Sequence, residues 1–158
     1  MQNTNQIFYS EPKAKSSYPM VDLYHNGVNL SSAKSISMSY ASGGIVSTTE
    51  DMLKFHKAMV ENKIIKKETF EKMQDYAKMG PSLYYGYGIM NFRFIFMPNK
   101  YHIWGNSGSI GAFMYYNPGM DIYLIGSFQK VNYQVQPILY IFNTLRKFNK
   151  ELKRNRKS

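Results

Sequence analysis

The stretch Gly105-Asn106-Ser107-Gly108-Ser109-Ile110-Gly111-Ala112-Phe113 decides how the chain is read. Its glycines suit a strand with a bulge or a tight bend, because a residue without Cβ lets backbones approach and turn sharply. Gly105 to Gly108 is also the nearest the chain comes to a phosphate-binding loop. It lacks the lysine of such a loop and does not stand between a strand and a helix. Upstream, Tyr84 to Met97 is aromatic and β-prone, with Gly86 and Gly88 at period two. Pro98-Asn99 makes a turn, and Tyr101 to Trp104 starts the next strand. Downstream, Ala112 to Tyr116, the turn Asn117-Pro118-Gly119 and Asp121 to Gln129 read as a hairpin.

Helices flank this β region. Ser47 and Glu50 have the spacing of a capping box, and Glu50 and Asp51 suit a helix N-terminus. Met52, Leu53, Phe55, Met59 and Val60 repeat at helical spacing, which predicts a helix to about residue 61. A second helix is expected near Lys67 to Tyr76, with Phe70 and Met73 inward, ended by Gly80-Pro81. Pro137 suits a first helical turn, and Ile138, Leu139, Ile141, Phe142, Leu145, Phe148 and Leu152 form an amphipathic stripe. The fold class expected is α+β: an antiparallel β-sheet of three or four strands with helices packed on it, on one face. Residues 1–39 are polar and punctuated by Pro12, Pro19 and Gly27. They are expected as an irregular covering segment with one short strand, and 40–158 as the domain proper.

Composition narrows the class. The 158 residues are 44% hydrophobic and 16% aromatic, too rich in ordering surface for a disordered tail. A chain of this size can bury about 70% of its unfolded surface without staples. There is no cysteine, so a disulfide framework, a thiolate zinc site and a cysteine nucleophile are all ruled out. No run approaches the about 18 apolar residues of a membrane span. The opening Met1-Gln2-Asn3-Thr4-Asn5-Gln6 has neither the charge nor the apolar core of a signal peptide. A formal charge of +10, from 20 Lys+Arg against 10 Asp+Glu, suggests anionic partners. Much of it is local: Arg146, Lys147, Lys150, Lys153, Arg154, Arg156 and Lys157 are opposed only by Glu151. A solvated helix end that complements the dipole accounts for that run, and a nucleic-acid arm is not expected.

Chemistry-bearing residues are sparse. His25, His56 and His102 have no metal-site spacing, and His56, inside the first helix, is expected to be partly exposed or satisfied. The few carboxylates are mostly helical and give little support to a glycosidase pair. No metal and no cofactor is expected.

Four pieces in order carry more weight than any one of them. They are Ala41-Ser42-Gly43-Gly44-Ile45-Val46-Ser47-Thr48, Tyr85-Gly86-Tyr87-Gly88-Ile89, Gly105 to Phe113, and Asn117-Pro118. Together they resemble the C-terminal portion of the serine β-lactamase-like superfamily, nearest the class C β-lactamases, D-alanyl-D-alanine peptidases and related esterases. The likeness spans about residues 40 to 130, and the last helix fits the closing helix of that family. It implies the C-terminal part of the β-lactamase/transpeptidase-like fold and acyl transfer through a serine ester on D-alanyl peptides, β-lactams or esters.

By this resemblance one strand lines the cleft. Asn106 stands where the family has Lys or His, Ser107 at its Thr or Ser, and Gly108 at its Gly. The backbone amide of Ser109 would be an oxyanion donor, and Asn106, Ser107, Gly108 and Ser109 would bind substrate as an added strand. Asn106 departs from the pattern: it can hydrogen-bond but neither titrates nor carries charge. The family's nucleophile motif Ser-x-x-Lys and its Tyr-x-Asn precede the matched region. Ser10–Lys13, Ser31–Lys34 and Ser127–Lys130 fit the first by spacing, but none opens an amphipathic helix. Tyr24-His25-Asn26 and Tyr115-Tyr116-Asn117 fit the second by coincidence. The expectation is therefore a C-terminal fragment of such a hydrolase, inactive alone, completed by a missing N-terminal part or a homodimer. The alternative is a non-catalytic module that binds an anionic cell-envelope polymer or a peptide. The family acts mostly outside the cytoplasm, so the resemblance implies an extracytoplasmic or envelope location.

Overall fold

The structure is a computed structural model and describes residues 1–6, 21–31, 43–130 and 135–155. In chain order its elements are β1 (Asn5–Gln6), β2 (Tyr24–His25), β3 (Val28–Asn29), β4 (Ile45–Val46), α1 (Thr49–Val60) and α2 (Lys67–Met73). There follow β5 (Ala77–Lys78), β6 (Leu83–Tyr85), β7 (Met90–Phe92), a 3-10 turn (Asn99–Tyr101), β8 (Ile103–Ser107), β9 (Ala112–Asn117), β10 (Ile122–Ser127) and α3 (Val135–Asn155). Six strands form one antiparallel sheet in the order β10-β9-β8-β7-β6-β5. The α+β expectation holds, with more strands than the three or four expected.

Two apolar clusters flank the sheet. Ile103, Phe113, Tyr115 and Leu124 pack under Ile138, Ile141 and Leu145 of α3. Trp104 and Ile89 pack with Met59 of α1, joined by the half-buried Phe55, Phe70, Met73, Tyr76 and Tyr116. Ile103 and Trp104 are neighbours in β8, and successive strand residues point to opposite faces. Hence α1 and α2 cover one face and α3 the other, and the expectation of helices on one face fails. A central strand whose inner and outer residues are both buried needs cover on both sides.

Local chemistry places the helix ends. Thr48, and not Ser47, caps α1: its hydroxyl accepts the Asp51 N–H at 3.2 Å. Asp51 is buried and takes up the Asn3 N–H at 2.7 Å and the Thr4 hydroxyl at 3.0 Å, tying β1 to α1. Helix α2 ends at Met73, earlier than expected, and leaves Tyr76 free to join the α1-side cluster. Pro137 lies in the first turn of α3, where its missing N–H costs nothing. Leu139 and Phe148, both expected inward, are 56% and 45% exposed. Leu139 falls about 100° around the helix from the buried Ile138. Within residues 1–39 the described parts hold three short strands, and Asn26-Gly27 joins β2 to β3 with φ of 48° and 81°. Such a dipeptide is a strong local hairpin signal, which the expectation of an irregular segment passed over. Ala41 and Ser42 of the first matched piece lie outside the described residues.

Candidate functional site

Strand β8 enters the sheet buried and leaves it open. Ile103, Trp104 and Gly105 are buried, whereas Asn106 and Gly108 to Ile110 are exposed. Its partner β7 reaches only as far as the pair Met90–Gly105, while β9 pairs on to Ser107–Phe113. Beyond Gly105 one edge of β8 therefore has no strand beside it among the described residues. The Gly108 N–H donates to the Ala112 carbonyl at 2.8 Å, and the Gly111 N–H to the Gly108 carbonyl at 3.0 Å, closing a turn with Ser109 and Ile110 at its corner.

The antiparallel alternation then aims the Ser107 N–H at the open edge. That N–H donates to the Asn106 Oδ1 at 2.9 Å, and the Asn106 Nδ2 donates to the Gly88 carbonyl at 3.4 Å. The Asn106 side chain thus occupies the edge as a stand-in for a strand's peptide group. The Ser109 N–H has no hydrogen-bond partner among the described residues.

Ser107 points the other way. Its hydroxyl accepts from the Tyr115 hydroxyl at 3.1 Å and lies 3.7 Å from the Met90 sulfur. Burial pushes the Tyr115 phenol up to about 12, so it stays a neutral donor. Of the four residues expected at the rim, Asn106, Gly108 and Ser109 lie exposed along β8 and its turn. The Ser107 side chain faces the α3 side and is engaged internally.

The other end of β8 is held by Asn117, which the sequence placed in a turn and in two motif matches but not in the core. Asn117 is fully buried, and its Nδ2 donates to the Lys100 carbonyl at 2.8 Å and the His102 carbonyl at 2.7 Å. Asn117→Ala strands both carbonyls without a donor and costs about 2–3 kcal/mol, read as a lower urea midpoint.

The motif matches do not assemble a nucleophile among the described residues. Ser31 ends the β2–β3 ribbon; its hydroxyl accepts the Leu23 N–H at 2.8 Å and donates to the Asp22 carboxylate at 3.1 Å. Lys34 and the whole of Ser10–Lys13 lie outside the described residues. The Ser127 hydroxyl accepts from the Gln129 N–H at 3.2 Å. Tyr115 and Asn117 are buried core residues, so their Tyr-x-Asn spacing is structural. No group of three or more His, Asp or Glu able to hold a metal occurs among the described residues.

His56 differs from expectation. It is fully buried, and neither ring nitrogen has a hydrogen-bond partner among the described residues. The signal was present in the sequence: His56 shares a helix face with Met52 and Met59.

No protein-family model matches the chain, and no curated protein does. Its structure is similar to a D-stereospecific amidohydrolase from Streptomyces sp., with a TM-score of 0.63 and 19% identity over 78% of this chain. This is the β-lactamase-like fold. The chain spans 39% of the length of that neighbour. At such identity the likeness is one of fold. In the β-lactamase-like sheet of this chain, the helices and the paired strands cover β8 up to Gly105 and leave Asn106 and Gly108 to Ile110 exposed.

Proposed function

We propose that the chain forms the strand-edge wall of a serine hydrolase cleft whose nucleophile lies outside the described residues. The reaction is acyl transfer on a D-alanyl peptide, a β-lactam or an ester. The observation that carries the proposal is the open edge of β8 past Gly105, with the Ser109 N–H unpaired. An acyl substrate lies along that edge as an extra strand, displacing the Asn106 side chain from Ser107 and Gly88. When a serine oxygen adds to the substrate carbonyl, the oxygen that gains charge accepts the Ser109 N–H. Asn106 carries no proton between groups, so it serves in docking. Proton transfer falls to residues on the nucleophile's side of the cleft.

The chain alone is expected to leave nitrocefin and p-nitrophenyl acetate unhydrolysed above the buffer rate, with Ser31→Ala indistinguishable. Turnover that Ser31→Ala abolishes overturns the incomplete-cleft proposal. Binding is the positive test. D-alanyl-D-alanine peptide should shift the amide resonances of Gly88 and Asn106 to Ile110, and shifts confined to other strands count against the edge.

A second function is favoured by one surface. Arg146, Lys150 and Lys153 are exposed along one flank of α3, and an anionic envelope polymer would lie there. Its binding weakens steeply with salt; salt-insensitive binding argues against it.

A further inference from the structure

The end of α2 and the β6–β7 loop border a solvent-open hollow of about 350 Å³, lined by Asp75, Tyr76, Ala77, Tyr85, Gly86 and Tyr87. That volume suits a small ligand or a single long side chain. Its walls are held by backbone. The Tyr87 N–H donates to the Met73 carbonyl at 2.9 Å, and the Gly86 N–H to the Ile89 carbonyl at 2.8 Å. Gly86 is pressed so close that a Cβ there would lie 2.1 Å from the Met73 oxygen.

On these walls the side chains are under-used. Tyr85 and Tyr87 are 37% and 70% exposed. The Tyr76 hydroxyl is buried next to the Asn91 side chain, without hydrogen-bonding geometry to it. The Asp75 carboxylate has no lysine or arginine nitrogen within 4 Å among the described residues, in a chain with 20 Lys+Arg and only 10 Asp+Glu. One unpaired carboxylate-bearing residue and three tyrosines thus line the same hollow. The same patch already draws a cation: the Arg93 guanidinium lies 5.7 Å from the Tyr76 ring centroid and 4.3 Å from that of Tyr84.

We propose that this cavity is a subsite for an organic cation, an ammonium or guanidinium on an alkyl stem. Asp75 is the counter-ion, and the Tyr76, Tyr85 and Tyr87 rings surround the charge and stem. An anion meets the Asp75 charge and is repelled. A neutral sugar covers the rings but leaves the carboxylate without a charge partner. The subsite adjoins the open edge of β8, because Gly88, next to Tyr87, accepts the Asn106 Nδ2. The cation is then a basic group of the acyl substrate, an assignment that rests on the proposed function; the binding itself does not.

The test titrates the full chain with arginine amide and with citrulline amide, both Nα-acetylated so that the guanidinium is the one charge and citrulline amide its neutral near-isostere, following the amide resonances of Asp75 and of Tyr85 to Gly88. Arginine amide is expected to bind saturably at those residues, at least tenfold more tightly than citrulline amide. Asp75→Asn should weaken arginine amide about tenfold and Tyr87→Leu several-fold, with the rest of the amide spectrum unchanged. Equal binding of the two amides, shifts that map elsewhere, or no effect of Asp75→Asn overturns the subsite. No turnover is read, so such a failure leaves the β8-edge proposal to the D-alanyl-D-alanine titration.

Discussion

Gly105→Ala yields no cooperatively folded protein. A Cβ at this position would lie 1.9 Å from the Met114 carbonyl oxygen and 2.8 Å from the Tyr115 Cα. Both contacts are backbone, so no side chain can swing away. Relief requires β8 and β9 to part, and with them the pairs Trp104–Tyr116 to Ser107–Phe113. Those strands carry Ile103, Phe113 and Tyr115, the floor under α3. The expected cost is about 4 kcal/mol or more, nearly the whole margin of a domain at the low end of the usual 5–15 kcal/mol. The measurement is near-ultraviolet circular dichroism with urea unfolding. Gly88→Ala is the control. Its φ of +77° strains an L residue, but nothing lies within 4 Å of the added carbon. It should cost only about 1–2 kcal/mol. If Gly105→Ala unfolds at a midpoint like that of Gly88→Ala, the close approach of β8 to β9 is refuted.

The second large effect is loss of stability in mild acid. The His56 ring sits edge-on to Trp104 at 4.9 Å, Tyr123 at 5.6 Å and Tyr116 at 6.3 Å between centroids. Burial pushes its pKa down from 6.5 to about 4. Between those values the unfolded chain takes up a proton that the folded chain refuses, so stability falls as pH falls. The contribution is full above pH 6.5 and gone near pH 4, a loss of about 3 kcal/mol.

Burial alone sets this direction, and the rings that face His56 are neutral; Asp121 and Glu61 lie beyond them, acting on Tyr123. Tyr116 and Tyr123 are held above the ordinary phenol value, by burial foremost, and supply no negative charge. Lys57 Nζ lies 5.7 Å from the Tyr123 ring centroid and adds a nearby cation. His102 is shifted down as well, by burial first and then by the Arg93 charge. Asp51 acts in a different window. The Asn3 N–H foremost holds its carboxyl below 3.8, so its contribution persists above that value and is lost only at lower pH. His56→Phe keeps an aromatic ring and removes two unpartnered nitrogens. It is expected to flatten the decline between pH 6.5 and 4.5 in urea midpoints, and an unchanged slope would refute the assignment.

Much of the architecture was legible because its signals are local. The spacing of Met52, Phe55 and Met59 foretold α1, and the hairpin around Asn117-Pro118-Gly119 is there as β9 and β10. A difference of one residue at the α1 cap arose because Ser47 and Thr48 carry the same chemistry; the Ser47 hydroxyl is instead paired with that of Thr4 at 2.7 Å. The turn that ends β8 was legible too, since Gly105 to Gly111 reads as a glycine-spaced bend in any context. Its details were not. That Ser107 turns toward Tyr115, and that Asn106 folds back onto the edge, follow from which neighbour β8 loses first. β7 stops at Met90 while β9 continues, and no residue within a few positions of Asn106 records that.

The amino-acid sequence by itself determined the three helices, the β9–β10 hairpin and their order, since helical spacing, strand-forming aromatics and turn residues act over less than about ten positions. Only the tertiary structure decided that α1 and α3 lie on opposite faces, that His56 is sealed under Trp104, and that one edge of β8 stays open beside a tyrosine-lined cavity. Each of those depends on contacts between segments tens of residues apart, and their free energy exists only once the sheet has brought the segments together.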